Sequence, residues 1–176
     1  MKTIVYIGTS LDGFIARKDG NIDWLMKFAS AEVFKPYEEL TKRIDTILMG
    51  RNTFNKVLTF PSWPYKKKIH VLSKSLTQIP KKYKDKVTVL SLSPIDALKH
   101  LSKNGYSTIY VDGGSLIQSF LKDDLIDELI ISKVPVLIGD GISLFGFLDS
   151  DLEFKHLKTE SFSNGLVMSF YERQKK

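Results

Sequence analysis

Met49-Gly50-Arg51-Asn52-Thr53-Phe54 and Val111-Asp112-Gly113-Gly114-Ser115 decide how this chain is read. Each closes an apolar, β-rich run and leads into a segment with helical spacing. A strand that ends in glycine beside a helix start leaves backbone N–H groups free at the positive end of the helix dipole, an arrangement that holds phosphate. Two such junctions on one small chain point to a dinucleotide, with the permanently charged, planar fork of Arg51 as a further phosphate contact. Thr53 adds a hydroxyl near a helix start. A third junction, Leu72-Ser73-Lys74-Ser75, supplies hydroxyls and an ammonium just past another strand.

Outward from these turns, the chain alternates strands and helices. Residues 3–9 form an apolar strand, 10–23 a loop punctuated by Gly13, Gly20 and Asn21, and 33–43 a helix with Phe34, Tyr37, Leu40 and Ile44 as its apolar stripe. Strands are expected at 44–49, 69–72, 87–90, 108–111 and 129–134. Ser93-Pro94-Ile95-Asp96 starts a helix with serine as N-cap, proline in its first turn and an acid beside it. Asn104-Gly105 ends that helix. Residues 135–146 read as a glycine-punctuated loop. Two final strands around Asn164-Gly165 form a β-hairpin. This order gives an α/β fold whose mostly parallel sheet is covered on both faces, with an antiparallel hairpin at one side. No repeat or linker divides the 176 residues, so one domain over 1–176 is expected. Ligands in such sheets sit at the carboxyl ends of the strands, where all three junctions fall.

Composition removes several function classes. A hydrophobic fraction of 43% and a charged fraction of 26% are those of an ordinary soluble protein, and no apolar run reaches the length of a membrane span. The absence of cysteine rules out disulfides, thiolate metal sites and cysteine nucleophiles, and fits a cytoplasmic location. His70, His100 and His156 share no ligand spacing, so no metal is expected. The net charge of +6 raises nucleic acid as a partner. The lysines, however, fall in loop-like clusters (66–68, 81–86, 175–176) without a basic helix or interleaved aromatics, and read as solvated surface. A small-molecule substrate is expected instead, with a homodimer compatible with the strand-rich surface.

Neither junction matches a P-loop or a Rossmann fingerprint. Four blocks together resemble another family: 9–16 with Asp23-Trp24 beyond, 45–54, 111–115 and 135–145. They are similar to the dihydrofolate reductase fold, and within it to the C-terminal reductase domain of the bifunctional riboflavin-biosynthesis deaminase-reductase, as a stand-alone member. The resemblance implies a three-layer sandwich and NADPH as hydride donor. It assigns cofactor contacts to Gly8 and Ile15 at the nicotinamide half and to Gly50, Arg51, Asn52 and Thr53 at the phosphates. Leu72, Ser73 and Lys74 would surround the adenosine 2′-phosphate, and Gly113, Gly114, Ser115, Leu116 and Ile117 the pyrophosphate. Residues 10–23 would form a loop closing over the nicotinamide. Asp12, Trp24 and Phe34 would border the substrate.

One departure stands out. Dihydrofolate reductases carry a carboxylate early in the first long helix, whereas spacing back from Met49 brings that position to Phe34. Glu32, Glu38 and Glu39 are the acids near enough to replace it, with Ser132 as a further group for proton delivery. The expected activity is therefore reduction of a small heterocyclic or sugar-linked substrate, of the 5-amino-6-(5-phosphoribosylamino)uracil reductase type. Dihydrofolate reduction, a non-catalytic NADPH-binding module and, on charge alone, nucleic-acid binding remain as rivals.

Overall fold

The computed structural model describes residues 1–175. Among them, one eight-stranded sheet forms the middle layer. Its strands in chain order are β1 (Lys2–Thr9), β3 (Thr46–Gly50), β4 (Ile69–Leu72), β5 (Val87–Leu90), β6 (Thr108–Asp112), β7 (Glu128–Lys133), β9 (Phe154–Ser161) and β10 (Val167–Arg173). They lie in the order β5-β4-β3-β6-β1-β7-β10-β9. Only β10 runs against the others, antiparallel to β7 on one side and β9 on the other. This is the mixed, mostly parallel sheet with a C-terminal antiparallel hairpin that the alternation of elements predicts. The hairpin turns at Asn164-Gly165, where Gly165 has φ +85°.

Strand alternation sends side chains to two separate cores. Ile4, Ile47, Met49, Ile69, Val71, Tyr110, Ile130 and Met168 face α2 (Ala31–Arg43) and α3 (Arg51–Val57). Val5, Leu48, Ile109, Val111 and Leu129 face α4 (Pro94–Lys103) and α5 (Gly114–Lys122). The Ser93 cap is formed as expected, its hydroxyl accepting from the Asp96 N–H at 3.2 Å.

Three details differ from the sequence expectation. Helix α2 starts two residues earlier, capped by Ser30, whose hydroxyl accepts from Val33 N–H at 3.3 Å. Pro36 lies inside this helix, and the ladder lacks the bond to the Glu32 carbonyl. The buried stripe is Val33, Tyr37, Leu40 and Ile44, so Phe34 is turned about a quarter of the helix away and is half exposed. Finally, the two loops contain structure too short to show a period: α1 (Asp23–Met26) and the antiparallel pair β2 (Phe14–Ala16) and β8 (Ile142–Ser143).

Because β1, β3, β4 and β6 are parallel, Thr9, Gly50, Leu72 and Asp112 end at the same edge of the sheet. The β2–β8 pair lies across that edge. Asp12 ties it down, accepting from the backbone N–H groups of Gly139 at 2.8 Å and Ile138 at 3.2 Å.

Candidate functional site

A cleft of about 680 Å³ opens at this edge. Of the residues assigned to a cofactor from sequence, Gly8, Ile15, Gly50, Arg51, Asn52, Thr53, Leu72, Ser73, Gly113, Gly114, Ser115 and Leu116 all line it. Parallel strand ends bring together groups that lie more than a hundred residues apart in sequence.

The Gly113-Gly114 turn is the tightest part of the wall. Gly113 has φ +103°, and a Cβ there would lie 2.1 Å from Thr53 Oγ1. A Cβ on Gly114 would lie 2.5 Å from Ile15 Cδ1. The start of α5 is thus pressed between α3 and β2, and at Gly113 the backbone conformation and the Thr53 contact together require glycine. No side chain caps α5, and its first N–H groups have no intrahelical acceptor. Gly114, Ser115 and Leu116 present this end of the helix to the cleft. The seven-residue α3 has the weaker dipole, and its contribution is the Arg51 side chain. The Arg51 guanidinium donates to Ser75 Oγ at 2.5 Å. Ser73 Oγ orders the same turn by accepting from the N–H groups of Ser75 at 3.2 Å and Leu76 at 3.0 Å.

Several expected residues lie elsewhere. Lys74 is exposed and does not line the cleft, because the turn ordered by Ser73 points Ser75 to Arg51 instead. Ile117 is fully buried in the core under α5. Glu32 accepts from Ser163 Oγ at 3.0 Å and belongs to a separate groove between α2 and the β9–β10 hairpin, together with Glu39. Glu38 is exposed, one position past the buried Tyr37 stripe. Phe34 faces outward for the helical reason given above. Trp24 is buried as core at 2% exposure, and Asp12 is engaged by the 138–139 backbone. Ser132 is buried beside the Tyr6 phenol and is not part of the cleft wall.

The structure supplies acids and cations that the sequence reading passed over. Lys56, one turn beyond Arg51–Asn52, lines the cleft. Asp112, the residue before the glycine pair, lines it as a half-buried carboxylate at the end of β6. The Tyr65 hydroxyl donates to Asp112 Oδ2 at 3.0 Å. Tyr110 lies two residues earlier on the same strand face and also acts on this carboxyl, but its hydroxyl proton goes to the Tyr6 carbonyl at 2.9 Å. Tyr37 packs between them, 5.6 Å from Tyr6 and 6.5 Å from Tyr110 by ring centroids. Desolvation raises the Asp112 carboxyl above the usual carboxylate range, and hydrogen bonds from Tyr65 and the Gly113 N–H only partly oppose it. Burial, with the Asp112 charge nearby, pushes Tyr37 up to about 12 and raises Tyr65 and Tyr110 further. These phenols stay protonated at neutral pH; Tyr65 donates to Asp112 and Tyr110 to the Tyr6 carbonyl. A strand-end Asp beside Gly-Gly reads as turn chemistry in sequence; only the convergence of three tyrosines from distant segments marks it as a site.

The RibD C-terminal domain family matches residues 62–168. The chain belongs to that family. It is 36% identical over 173 residues to the uncharacterised protein YwjB of Bacillus subtilis strain 168, covering 96% of this chain and 97% of that one. A crystal structure of a candidate riboflavin biosynthesis protein from Shewanella sp. PV-4 superimposes with a TM-score of 0.94 at 42% identity, covering 99% of this chain and all of the other. A dihydrofolate reductase from Enterococcus faecalis, complexed with NADP(H), shares the fold at a TM-score of 0.71 and 14% identity, over 99% of this chain and 97% of that one. The chain is therefore a RibD C-terminal-like domain with a dihydrofolate reductase-like fold, in a family of oxidoreductases.

Proposed function

We propose that this protein is an NADPH-dependent reductase of a small heterocyclic or sugar-linked acceptor, with an amino-pyrimidine of the riboflavin type as the best-motivated class. The observation that carries this reading is the single cleft joining the Arg51–Ser75 corner, the α5 N-terminus and the strand end at Gly8. The residues present fit such a cofactor. Arg51 with Ser73 and Ser75 would hold its 2′-phosphate, the free N–H groups of Gly114, Ser115 and Leu116 its pyrophosphate, and the backbone at Gly8 and Ile15 its nicotinamide half. When bound, NADPH supplies hydride.

The chain's own part is to bind, orient and exclude water. The close approach of Gly113 to Thr53 brings the α5 N-terminus against the Arg51 segment, so both can act on one chain of phosphates. The β2–β8 strap packs Ile15 and Ile142 over Gly114 and shields that wall from solvent. The Asp112 carboxyl, held by the Tyr65 phenol, is the polar side chain where an acceptor molecule would lie.

Dihydrofolate reduction is less favoured, because α2 turns Glu32, Glu38 and Glu39 away from the cleft. A purely binding module rests on the missing helix carboxylate, and the presence of Asp112 in the cleft wall favours turnover over it. Calorimetric titration with NADPH and NADH tests the cofactor, and loss of NADPH absorbance with phosphoribosylamino-pyrimidine or dihydrofolate tests the acceptor. Tight NADPH binding, weaker NADH binding and oxidation with the pyrimidine are expected. Equal affinity for the two cofactors, or no oxidation with either acceptor, would overturn the proposal.

A further inference from the structure

Tyr6, Tyr65 and Tyr110 all line the cleft. Tyr65 and Tyr110 have committed their protons, to Asp112 and to the Tyr6 carbonyl. The Tyr6 phenol is placed differently. Tyr6 and Gly8 share the face of β1 that carries Ile4, and Ser132 is the register partner of Gly8 on β7. A two-residue step along a strand spans roughly 7 Å, close to the reach of a tyrosine side chain. The phenol leans along β1 to meet the Ser132 hydroxyl, which brings its oxygen level with Gly8. Leu25 of α1 lies over that spot, where a Cβ on Gly8 would meet Leu25 Cδ1 at 2.8 Å.

Ser132 is buried, and its hydroxyl has no hydrogen-bond partner elsewhere among the described residues. Two hydroxyls side by side hold two protons, and the bond between them uses one. If Tyr6 donated to Ser132, the serine proton would be stranded in the core, the costlier arrangement. With Ser132 donating to the phenol oxygen, the Tyr6 proton is left for the cleft. Burial, opposed by Ser132 and aided by the Glu160 charge, pushes this phenol up to about 12, so it is a donor at neutral pH.

We infer that Tyr6 determines specificity: its phenol donates to a ring carbonyl oxygen of the acceptor beside Gly8, and Ser132 positions it. This rests on the reductase reading above and deepens it by naming the group that the acceptor presents. The donor is set back between β1 and β7, next to a buried serine, and an exocyclic oxygen projects far enough from a ring to reach it. A ring amino group brings only protons to that spot and meets another donor, while a ring nitrogen lies within the outline of the ring. In the reductase reading the nicotinamide half lies at Gly8, so this contact fixes one edge of the acceptor against the source of hydride. Ser132, nominated from sequence for proton delivery, acts through Tyr6 rather than on the ligand.

The test uses the full chain saturated with NADP⁺ and a pair of ring probes of matched size: 6-aminouracil, which carries carbonyls, and 2,4-diaminopyrimidine, which has none. Ligand-observed NMR titrations measure both in the wild type, Tyr6→Phe, Ser132→Ala and Ser132→Thr. The ¹³Cζ resonance of Tyr6, assigned by its loss in Tyr6→Phe, reports on the hydroxyl itself. Tyr6→Phe is expected to weaken 6-aminouracil by about threefold to tenfold, the loss of one neutral hydrogen bond, with 2,4-diaminopyrimidine and NADP⁺ unchanged. The Tyr6 resonance should move when 6-aminouracil is added. It should also move in free Ser132→Ala but not in Ser132→Thr, which keeps a hydroxyl. Equal weakening of both probes by Tyr6→Phe, undiminished 6-aminouracil binding, no wild-type binding of 6-aminouracil, or a Tyr6 resonance indifferent to Ser132→Ala overturns the inference. Failure of the wild type to bind NADP⁺ instead overturns the reductase reading itself.

Discussion

Gly113→Ala probes the turn on which the cleft depends. At φ +103° and ψ 131° the backbone occupies a region that side chains rarely adopt, and holding alanine there costs about 1–3 kcal/mol. Its Cβ would also meet Thr53 Oγ1 at 2.1 Å, an overlap that α3 or the turn must relieve by shifting, at roughly 1–3 kcal/mol more. The combined loss of about 2–6 kcal/mol is a large part of the 5–15 kcal/mol typical of a domain, and corresponds to a fall in Tm of roughly 5–20 °C. Gly114→Ala is the control. Its Cβ meets the far end of the Ile15 side chain at 2.5 Å, which a rotamer change relieves for about 0.5–1.5 kcal/mol, largely offset by the lower chain entropy of alanine. Urea denaturation of both variants and of Gly113→Ala/Thr53→Ala separates the two causes. The double variant should recover the overlap cost but not the backbone cost. If Gly113→Ala unfolds at the same urea concentration as Gly114→Ala, or Thr53→Ala restores nothing, the reasoning about this turn is wrong.

Other consequences can be measured as directly. Arg51→Ala should weaken NADPH binding by about tenfold to a hundredfold and leave NADH nearly unchanged, whereas Lys74→Ala, being off the cleft, should alter neither in a calorimetric titration. His70 is buried against Thr46 Oγ1 at 2.9 Å, and burial lowers its pKa from 6.5 to about 4. The unfolded chain then binds the extra proton first, so stability should fall as pH drops from 6.5 towards 4; a denaturation series over that window showing no such slope, or the same slope in His70→Gln, would refute this. Ser93→Ala removes the cap of α4 and should cost about 1 kcal/mol in the same assay, with cofactor binding unaffected.

Much of the fold was legible because local signals agreed. Strands β4 and β5 lie where the apolar runs place them, and α4 begins at the Ser93-Pro94 signal. The elements that escaped were those with too few residues for any period, β2, β8 and the single turn α1. In helix α2 the start moved to the Ser30 cap, and Val33 rather than the adjacent Phe34 joins Tyr37, Leu40 and Ile44 on the packed face, which leaves Phe34 about 100° away. The acids were placed by spacing from Met49 alone, and the helix puts Glu32 and Glu39 in the groove beside the hairpin and Glu38 on the surface.

The sequence by itself determined the α/β alternation, the hairpin, and the glycine turns at strand ends, because each depends on neighbours within a few residues. It could also nominate Arg51 and Gly113–Leu116 as partners of one phosphorylated ligand, since parallel strands must end together. Which acid serves the cleft was decided only in three dimensions. Asp112 ends a strand and Glu38 lies in a helix, but what sets the Asp112 carboxyl apart is its surroundings, with Tyr65, Tyr110 and Tyr37 converging from a loop, a strand and a helix to remove it from water. Desolvation is a property of the packed whole, and no window of sequence contains it.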